Sequence, residues 1–485
     1  MKKITFFLSM ALAVSVSVQG QNLGGMIQAA AKKAATQAVN NATNKSNNNG
    51  TSNNGKSAAG SETPDTRNAI YVSSENGSNR NSGAKDAPYK NLQKAIDQAP
   101  DGATIIVAQG NYYGTLNSGN INITKSVKIY GGYNDDFSSR NVLKYRTMVQ
   151  PSGASNGSQS GQGTMQIKIN NANAVVVIDG LLFDRGNSVA YNPKGEGKPE
   201  GVECPMMQPI GTAGIGGPSL TEQVYTTETA EIYFDNPTLS QITIRNCAFL
   251  NAPNYAIRGM FKGSANISNN IFVNIRMAAV ELSGSSATAN SSVNFSYNTV
   301  LFVWARLKDM ADMGYGFRYM NGIDCYLDHN ILGCCTFSAL DRCRVESSKD
   351  REAKKVTTSE HNIFFLNKQA DICLPGGGMF LRVWARDFDD VEALAKVAGN
   401  KELKDPSVFK GIIDEAYLNG FMTASYKETT NYDPNSPANV FRAAMGMNQT
   451  GTMNSKASMF ANRYPVETAF KLFGALSGYG AQAIK

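Results

Sequence analysis

The sequence is poor in the residues from which histidine-based and zinc sites are built. Its 485 residues include two histidines and seven cysteines. Both histidines, His329 and His361, lie 32 residues apart, at the same position of an internal repeat. A catalytic triad or a zinc site needs side chains placed outside such a repeat. We therefore predict that the histidines are turn residues and that the chain has no metal site.

An excess of charge of one sign is missing from most of the chain, although the formal net charge is +7. The first 20 residues carry two lysines, and residues 21–68 carry five basic and two acidic residues. That leaves 39 of the 46 basic residues and 37 of the 39 acidic residues to the rest of the chain. Nucleic-acid binding needs a clustered basic face, so we expect no nucleic acid as a partner.

Long apolar runs are absent except at the N-terminus. Two lysines precede a largely apolar run over residues 4–18, and residues 18–20, Val-Gln-Gly, fit a small-residue cleavage site. We expect residues 1–20 to be a signal peptide that is removed before Gln21. No cysteine follows that site, which disfavours a lipid anchor, and no later run could cross a bilayer. The expected location is therefore periplasmic, cell-surface or extracellular.

Residues 21–68 have almost no large apolar side chains and are dominated by Ala, Asn, Gly, Ser and Lys. Such a composition cannot bury enough surface to offset the entropy lost on ordering. We predict a flexible tether. The odd number of cysteines means that at least one thiol is unpaired within the chain. Cys334 and Cys335 could pair locally with Cys343, or they could simply be buried.

A repeat of hydrophobic and turn residues fixes the expected fold. Six similar segments begin at Ile178, Ile244, Ile267, Phe295, Leu327 and Ser359. From Ile244 onward the starting positions differ by 23, 28, 32 and 32 residues. Each segment reads as a strand, a polar turn and another strand, and such units bury a core only when they are stacked. We predict an all-β, right-handed parallel β-helix over residues 69–385.

One asparagine recurs in the turn of four segments. Stacked amides can donate to and accept from copies about 4.8 Å away, so we expect a ladder. Its members are Asn270, Asn298, Asn330 and Asn362. Residues 88–96 open an amphipathic helix that would cap the first coil.

The N-terminal part of this pattern resembles the pectate-lyase-like superfamily of β-helix proteins, particularly those exported by Bacteroidetes. The resemblance covers roughly residues 69–375. It is carried by Tyr71-Val-Ser, Ser82-Gly83, Pro88-Tyr89, Ala95-Ile96, the stretch from Ile105 to Tyr112, and Ile129-Tyr-Gly-Gly-Tyr133. It implies an acidic polysaccharide as the partner. However, the Asn-Thr-Asp, Gly-His-Gly and Arg-Ile-Lys signatures of polygalacturonases are absent, as is the arginine signature of pectate lyases.

Two regions depart from the regular repeat. Residues 186–219 contain eight glycines and five prolines, and we place an insertion at 186–240 that shapes a binding face. After the repeat fades, residues 389–398 read as a helix. We assign residues 386–485 to a C-terminal cap, because a terminal coil needs a polar cover.

A second alignment places four charged side chains on successive coils. We call them the charged row, and they are Arg258, Glu281, Arg318 and Asp341. A nine-residue insertion is needed before Arg318, and Asp309 is the alternative member. The row suits catalysis by Glu281, Arg318 and Asp341 or binding of acidic sugars, but it also fits an exposed cross-strand ladder of ion pairs. On an exposed row, Arg318→Ala should change stability by no more than about 1 kcal/mol.

Both tryptophans occur in the tetrapeptide Val-Trp-Ala-Arg. A ring beside a guanidinium can stack on the apolar face of a sugar, although each ring could equally pack beneath a loop. We therefore expect Trp304, Arg306, Trp384 and Arg386, with Arg258, to contact a polysaccharide.

Three functions remain compatible with the sequence. The first is a polysaccharide lyase or glycoside hydrolase, the second a non-catalytic glycan-binding or adhesive surface protein, and the third a component of an exported assembly. No cofactor is predicted, and the need for calcium is left open.

Overall fold

The described residues of the computed structural model span 63–484, with gaps at 115–119, 151–165, 171–172, 185–208, 212–220, 224–229, 253–254, 286–289, 305–313, 321, 343–356, 377–378, 391–396, 404, 426–431 and 451–462. The expected signal peptide and most of the expected tether lie outside them. No helix among the described residues is both long and apolar enough to cross a membrane.

Two large sheets, almost wholly parallel, make up the fold. The first has 16 strands: β1 (Ile70–Val72), β2 (Ala103–Ala108), β4 (Ile121–Ile123), β5 (Val127–Tyr133), β7 (Ile167–Ile169), β8 (Ala174–Asp179), β12 (Ala230–Arg245), β14 (Tyr255–Ser268), β16 (Ala278–Gly284), β17 (Ser291–Ser296), β19 (Tyr315–Tyr319), β20 (Ile323–Asp328), β22 (Ser338–Arg342), β23 (Thr357–Glu360), β25 (Ala370–Gly376) and β26 (Met379–Val383).

The second sheet has nine strands: β3 (Gly110–Tyr113), β6 (Thr147–Gln150), β9 (Leu182–Asp184), β13 (Ala248–Leu250), β15 (Ile271–Arg276), β18 (Thr299–Trp304), β21 (Ile331–Cys335), β24 (Ile363–Phe365) and β27 (Lys401–Glu402). The remaining strands, β10 (Pro209–Gly211) and β11 (Thr221–Gln223), pair with each other in an antiparallel hairpin. The helices are α1 (Leu92–Gln98), α2 (Glu415–Ser425), α3 (Pro437–Met445) and α4 (Val466–Phe470), with 3₁₀ turns at Ala385–Asp390 and Pro406–Phe409.

The repeat sets the register of the coils. Ile178, Ile244 and Ile267 are neighbours across adjacent parallel strands. Phe295, Leu327 and Ser359 continue the same line. All six repeat starts are buried, which confirms the predicted parallel β-helix. Two parallel neighbours in a sheet cannot be joined by a tight hairpin and need a crossover connection. Here the connection between strands of the first sheet passes through a strand of the second sheet, which makes the chain coil.

Aromatic rings stack inside the coils at the spacing of the strands. The ring centroids of Phe183 and Phe249 are 4.8 Å apart, as are those of Phe249 and Phe272. Their alternate neighbours face outward, because successive side chains of a strand point to opposite sides. The core is therefore a continuous apolar column that no single coil could close.

The polar turns also stack. The side-chain amide of each ladder asparagine donates to the next, at 3.0, 3.2 and 2.8 Å from Asn270 to Asn362, which confirms the predicted ladder. Asn400 adds a fifth member, since Asn362 Nδ2 donates to its Oδ1 at 3.1 Å. The residues before the four predicted ladder positions have a left-handed backbone, with φ between 52° and 56°: Asn269, Tyr297, His329 and His361. Asn246 has the same conformation one coil earlier, with φ of 54°.

The ends of the solenoid differ from each other. Helix α1 contacts β1, β2 and β4, and its residues Leu92, Ala95 and Ile96 join the apolar core. At the other end, β26 pairs antiparallel with β25, and Phe388 packs edge-on against Phe364 at 5.4 Å. Residues 379–390 therefore close the last coil.

The C-terminal helices pack against the second sheet, along the side of the solenoid, and not over its end as a cap would. Helices α2, α3 and α4 lie against outward side chains of the second sheet, including Leu250, Val273 and Phe302. Most of the helix predicted over residues 389–398 lies outside the described residues; residues 389–390 end the 3₁₀ turn Ala385–Asp390, and residues 397–398 are not helical. The predicted insertion also ends earlier than Ser240, because β12 already begins at Ala230.

Candidate functional site

The charged row forms as the spacing predicts. Arg258 on β14 is the register neighbour of Glu281 on β16. Glu281 neighbours Arg318 on β19, and Arg318 neighbours Asp341 on β22. The nine-residue insertion was therefore placed correctly, whereas Asp309 lies outside the described residues. The row points away from the core, since the adjacent residues Ile257, Val280, Phe317 and Leu340 face inward.

Ion pairs connect every neighbouring pair of the row. Arg258 Nε donates to Glu281 Oε1 at 2.9 Å, and Arg318 Nη1 lies 3.4 Å from Glu281 Oε2. Arg318 Nε lies 3.0 Å from Asp341 Oδ2. The charges thus alternate in sign and sum to zero along the four strands. This arrangement is the ion-pair ladder that the sequence left as an alternative to a site.

The row is far more buried than an exposed ladder. The side chains of Glu281 and Asp341 are 6% and 1% exposed, against 20% and 18% for Arg258 and Arg318. The premise that the row is exposed is therefore wrong, and we now expect Arg318→Ala to be destabilising. Removing Arg318 would take a shared cation from two buried carboxylates, of which Glu281 keeps Arg258.

Each arginine of the row also stacks on a tyrosine three residues earlier. The guanidinium carbon lies 4.7 Å from the ring centre of Tyr255 for Arg258, and 4.6 Å from that of Tyr315 for Arg318. Burial disfavours the charge of Arg258, but Tyr255 and Glu281 outweigh this effect and raise its pKa above the ordinary value. The guanidinium planes are thus fixed by a ring and a carboxylate together.

Trp304 does not offer a sugar-stacking face. Its side chain is 1% exposed and packs edge-on against Phe421 of α2 at 4.8 Å. Its indole N–H donates to Asn274 Oδ1 at 3.1 Å. The prediction of a stacking platform at Trp304 is wrong because α2 covers the ring.

The other members of the two Trp-Ala-Arg motifs have different outcomes. Arg306 lies outside the described residues. Arg386 stacks on Trp384 at 5.4 Å, its side chain is 55% exposed, and Nη1 lies 3.3 Å from Glu402 Oε1. The stacked pair exists as the motif suggested, and it belongs to the closing segment rather than to the charged row.

A polar surface that the sequence analysis did not single out lies on the same sheet. Two rows of outward side chains run across β12, β14, β17 and β20, and each member is exposed or half-buried. We call them the polar face: Gln241, Ser264, Ser292 and Asp324, then Thr243, Asn266, Asn294 and Tyr326. Tyr326 is 42% exposed. The strict alternation of polar and apolar residues in these strands is the signal that could have revealed it.

The histidines do occupy turn positions, as predicted. Their rings stack, with centroids 4.7 Å apart, and Tyr297 stacks on His329 at 4.9 Å. Both Nδ1 atoms also approach the carboxylate of Asp328. The fold therefore gathers two imidazoles and one carboxylate, a grouping that the prediction of no metal site did not consider.

The cysteines follow the buried alternative rather than a disulfide. Cys334 and Cys335 are free and fully buried, and Cys343 lies outside the described residues. Burial raises the pKa of both thiols. They act as small core residues.

Comparisons with known proteins add the following. Residues 75–181 match a family described as a protein of unknown function, DUF1565. None of the curated proteins matches the sequence. Similar solved structures include the pectate lyase Pel9A, at 13% identity and a TM-score of 0.38, covering 80% of this chain and 90% of that chain.

Two further similar structures are enzymes of other kinds. The pectin methylesterase PemA from Erwinia chrysanthemi has 11% identity and a TM-score of 0.33, covering 70% of this chain and 94% of that chain. The lacto-N-biosidase of Eubacterium ramulus has 12% identity and a TM-score of 0.29, covering 69% of this chain and 55% of that chain. The strand register of this chain itself establishes it as a parallel β-helix protein.

Proposed function

We propose that this chain is an exported β-helix protein, similar to the pectate-lyase-like type, that binds an acidic polysaccharide across the strands of its first sheet. The observation that carries the proposal is the charged row. Its two guanidinium groups are fixed on alternate strands, and about one fifth of each side chain reaches the surface. A binding site of this kind would recognise a polymer by its repeating carboxylates.

The geometry favours binding over proton transfer. Both carboxylates of the row lie within 3.4 Å of a guanidinium nitrogen, so they are engaged by arginine. Arginine presents a planar set of donors that matches a carboxylate, and its orientation here is set before any ligand arrives. The arginine side chains of the row are more exposed than its carboxylates, which suits an anionic sugar.

The step between strands suits an extended polymer. Neighbouring parallel strands lie about 4.8 Å apart, so Arg258 and Arg318, two strands apart, are separated by about 9.6 Å along the helix axis. A polysaccharide lying along that axis would meet an arginine side chain at every second strand of the row. The polar face of the same sheet adds hydroxyl and amide groups, and Tyr326 adds an exposed ring for a sugar to stack on.

Affinity electrophoresis of the mature protein tests this proposal. Gels containing polygalacturonate, alginate or neutral dextran would be compared at low and high salt. We expect retardation by the two acidic polymers only, weakening as salt screens the charges. Retardation by dextran alone, or by no polymer, would contradict the proposal.

Arg258→Gln is the sharper variant, because Glu281 then keeps its contact with Arg318 at 3.4 Å. We expect the affinity for acidic polymers to fall about fivefold, as for loss of one partly exposed charge contact. Arg67→Gln is the matched control, since it removes the same charge from a side chain that is 88% exposed and outside the row. Equal losses in both variants would indicate non-specific attraction rather than a site.

Catalysis by the row is the second candidate. Glu281 and Asp341 lie two strands apart, about 9.6 Å, near the upper end of the roughly 6.5–9.5 Å range for carboxylate pairs of inverting glycoside hydrolases. Incubation with uronic-acid and neutral polysaccharides, with and without calcium, would be followed by ultraviolet absorbance and new reducing ends. Turnover that Glu281→Gln and Asp341→Asn each abolish, with binding retained, would establish this candidate. If no variant of the row alters any glycan assay, an adhesive or assembly role remains.

A further inference from the structure

Asp328, His329 and His361 converge at one edge of the solenoid. Asp328 ends strand β20, His329 follows in the left-handed turn, and His361 occupies the same turn one coil later. Asp328 Oδ1 lies 2.7 Å from His329 Nδ1 and 3.2 Å from His361 Nδ1. The three donor atoms all lie within 4.8 Å of one another. Two successive coils therefore present one shared group of ligating atoms.

The contact between His329 and Asp328 is close but is not a well-formed hydrogen bond. His329 Nδ1 is a buried atom, and although it lies 2.7 Å from the carboxylate oxygen it is not aligned to donate to it. A ring nitrogen without a hydrogen-bond partner among the described residues, beside a carboxylate oxygen, leaves two donor atoms that a cation can bind together. Two imidazole nitrogens and one carboxylate oxygen are donors that zinc and similar divalent transition metals accept.

The backbone holds these side chains in place without a ligand. His361 N donates to Ala398 O at 2.9 Å, and Gly480 N donates to His329 O at 2.7 Å. A Cβ at Gly399 would lie 2.4 Å from Cδ2 of His361, so this glycine lets the chain pass directly beside the ring. The turn geometry and the ring stack restrict how far either imidazole can rotate. Binding a metal would therefore cost little reorganisation.

The group is also accessible. The side chains of Asp328, His329 and His361 are 40%, 24% and 42% exposed. An ion could enter from solvent and keep water in its remaining positions, as in sites with three protein ligands. A purely structural zinc site would instead be closed by four protein ligands.

We propose that Asp328, His329 and His361 bind one divalent transition-metal ion of the zinc class, which joins two successive coils at their turns. The site lies on the turns that follow the polar face, and it does not depend on glycan binding by the charged row. The ion links residues 32 positions apart in sequence and so stabilises the stacking of the two coils.

Zinc titration of the chelator-treated mature protein tests the proposal, with a chromophoric chelator as competitor. We expect one zinc ion per chain and a rise in melting temperature on its addition. Cobalt, added as a spectroscopic substitute, should give visible absorption bands of a nitrogen- and oxygen-ligated site. Absence of stoichiometric zinc binding by the wild-type protein would overturn the proposal.

Asparagine is the informative substitution for the histidines. Asn246 and Asn269 occupy the same turn position in earlier coils with φ of 54° and 56°, so His329→Asn and His361→Asn are compatible with the backbone. We expect each to weaken zinc binding at least about tenfold, as loss of a ligand should. Zinc affinity that is unchanged in both variants would place the ion elsewhere and refute the site.

Two variants serve as matched controls. Tyr297→Phe lies in the same turn column, keeps the ring that stacks on His329 and removes no ligand, and it should leave zinc binding within about twofold of wild type. Glu360→Gln removes a carboxylate from the strand position beside Asp328, outside the ligand group. If Glu360→Gln weakened binding as much as Asp328→Asn does, the attraction would be diffuse and the proposed site would be wrong.

Discussion

Asp371 shows, at the scale of one residue, what burial does to a carboxyl group in this fold. Its side chain is 2% exposed, and it accepts hydrogen bonds from Asn367 Nδ2 at 2.8 Å and from Ala385 N at 2.9 Å. Burial raises its pKa from the ordinary 3.8 to about 6, although both hydrogen bonds act in the opposite direction. The folded state therefore binds a proton at Asp371 more tightly than the unfolded state does.

This pKa predicts a pH dependence of stability. Below about pH 4 the carboxyl is protonated in both states, and between about 4 and 6 only the folded state holds the proton. The free energy of unfolding should fall as pH rises through that window, by about 3 kcal/mol in total from this group. Urea unfolding from pH 4 to 7 measures it. In Asp371→Asn this part of the slope should vanish, and an unchanged slope would contradict the assignment.

Arg318 provides a second prediction at the residue scale. It lies between the buried carboxylates of Glu281 and Asp341, so Arg318→Ala removes the cation that they share, while Glu281 keeps Arg258. We expect the free energy of unfolding to fall by about 3 kcal/mol. Arg67→Ala, at a side chain that is 88% exposed, should change it by less than about 0.5 kcal/mol.

Adding Asp341→Asn to Arg318→Ala gives an internal check by chemical denaturation. A neutral amide removes a buried charge that has lost its contact with Arg318, and Glu281 keeps its ion pair with Arg258, so the double variant should be more stable than Arg318→Ala alone. A double variant that is less stable would show that packing, rather than charge, dominates at this position.

The asparagine ladder acts at the scale of the structural element. Asn298 Oδ1 accepts from the backbone N–H of Asn270 at 3.0 Å, and Asn298 Nδ2 donates to Ile267 O at 2.8 Å. All three residues are buried. Each rung therefore satisfies backbone groups of the turn that the parallel strands leave unpaired.

Asn298→Ala should destabilise the fold by about 2–5 kcal/mol, because a buried donor and a buried acceptor each lose a partner. Asn294→Ala is the control four residues earlier, on strand β17, since Asn294 is exposed on the polar face. Its effect should stay within about 0.5 kcal/mol. Thermal or urea unfolding compares the two, and equal effects would exclude a special contribution from the ladder.

At the scale of the whole molecule, the C-terminal region covers one side of the solenoid. Phe302 of the second sheet packs against Tyr417 at 4.9 Å and Phe421 at 5.6 Å. Near the other end of the sheet, Arg146 pairs with Glu467 at 2.8 Å. These contacts join residues more than one hundred positions apart in sequence and remove an apolar sheet face from water.

Ending the chain after residue 405 should therefore expose the outward side chains of the second sheet. We expect strong binding of a dye that recognises apolar surface, together with self-association seen by size-exclusion chromatography. The full chain is the reference. A truncated protein that stayed monomeric, bound no dye and kept its melting temperature would show that the C-terminal helices contribute little to the fold.

The sequence by itself determined the coil register. Successive coils carry the same alternation of apolar and polar residues. Each interval along the series Ile244, Ile267, Phe295 and Leu327 corresponds to one coil. The same counting correctly placed Arg258, Glu281, Arg318 and Asp341 on neighbouring strands, because parallel pairing transmits register from one strand to the next. The asparagine ladder followed for the same reason.

Only the tertiary structure decided what covers those strands. Trp304 and Phe302 lie beneath helix α2, whose sequence has no part in the repeat. The burial of Asp341, whose side chain is 1% exposed, likewise shows only in the folded structure. Periodicity encodes the direction of a side chain relative to its own strand. Burial depends also on chain segments distant in sequence, and no local pattern records where those segments pack.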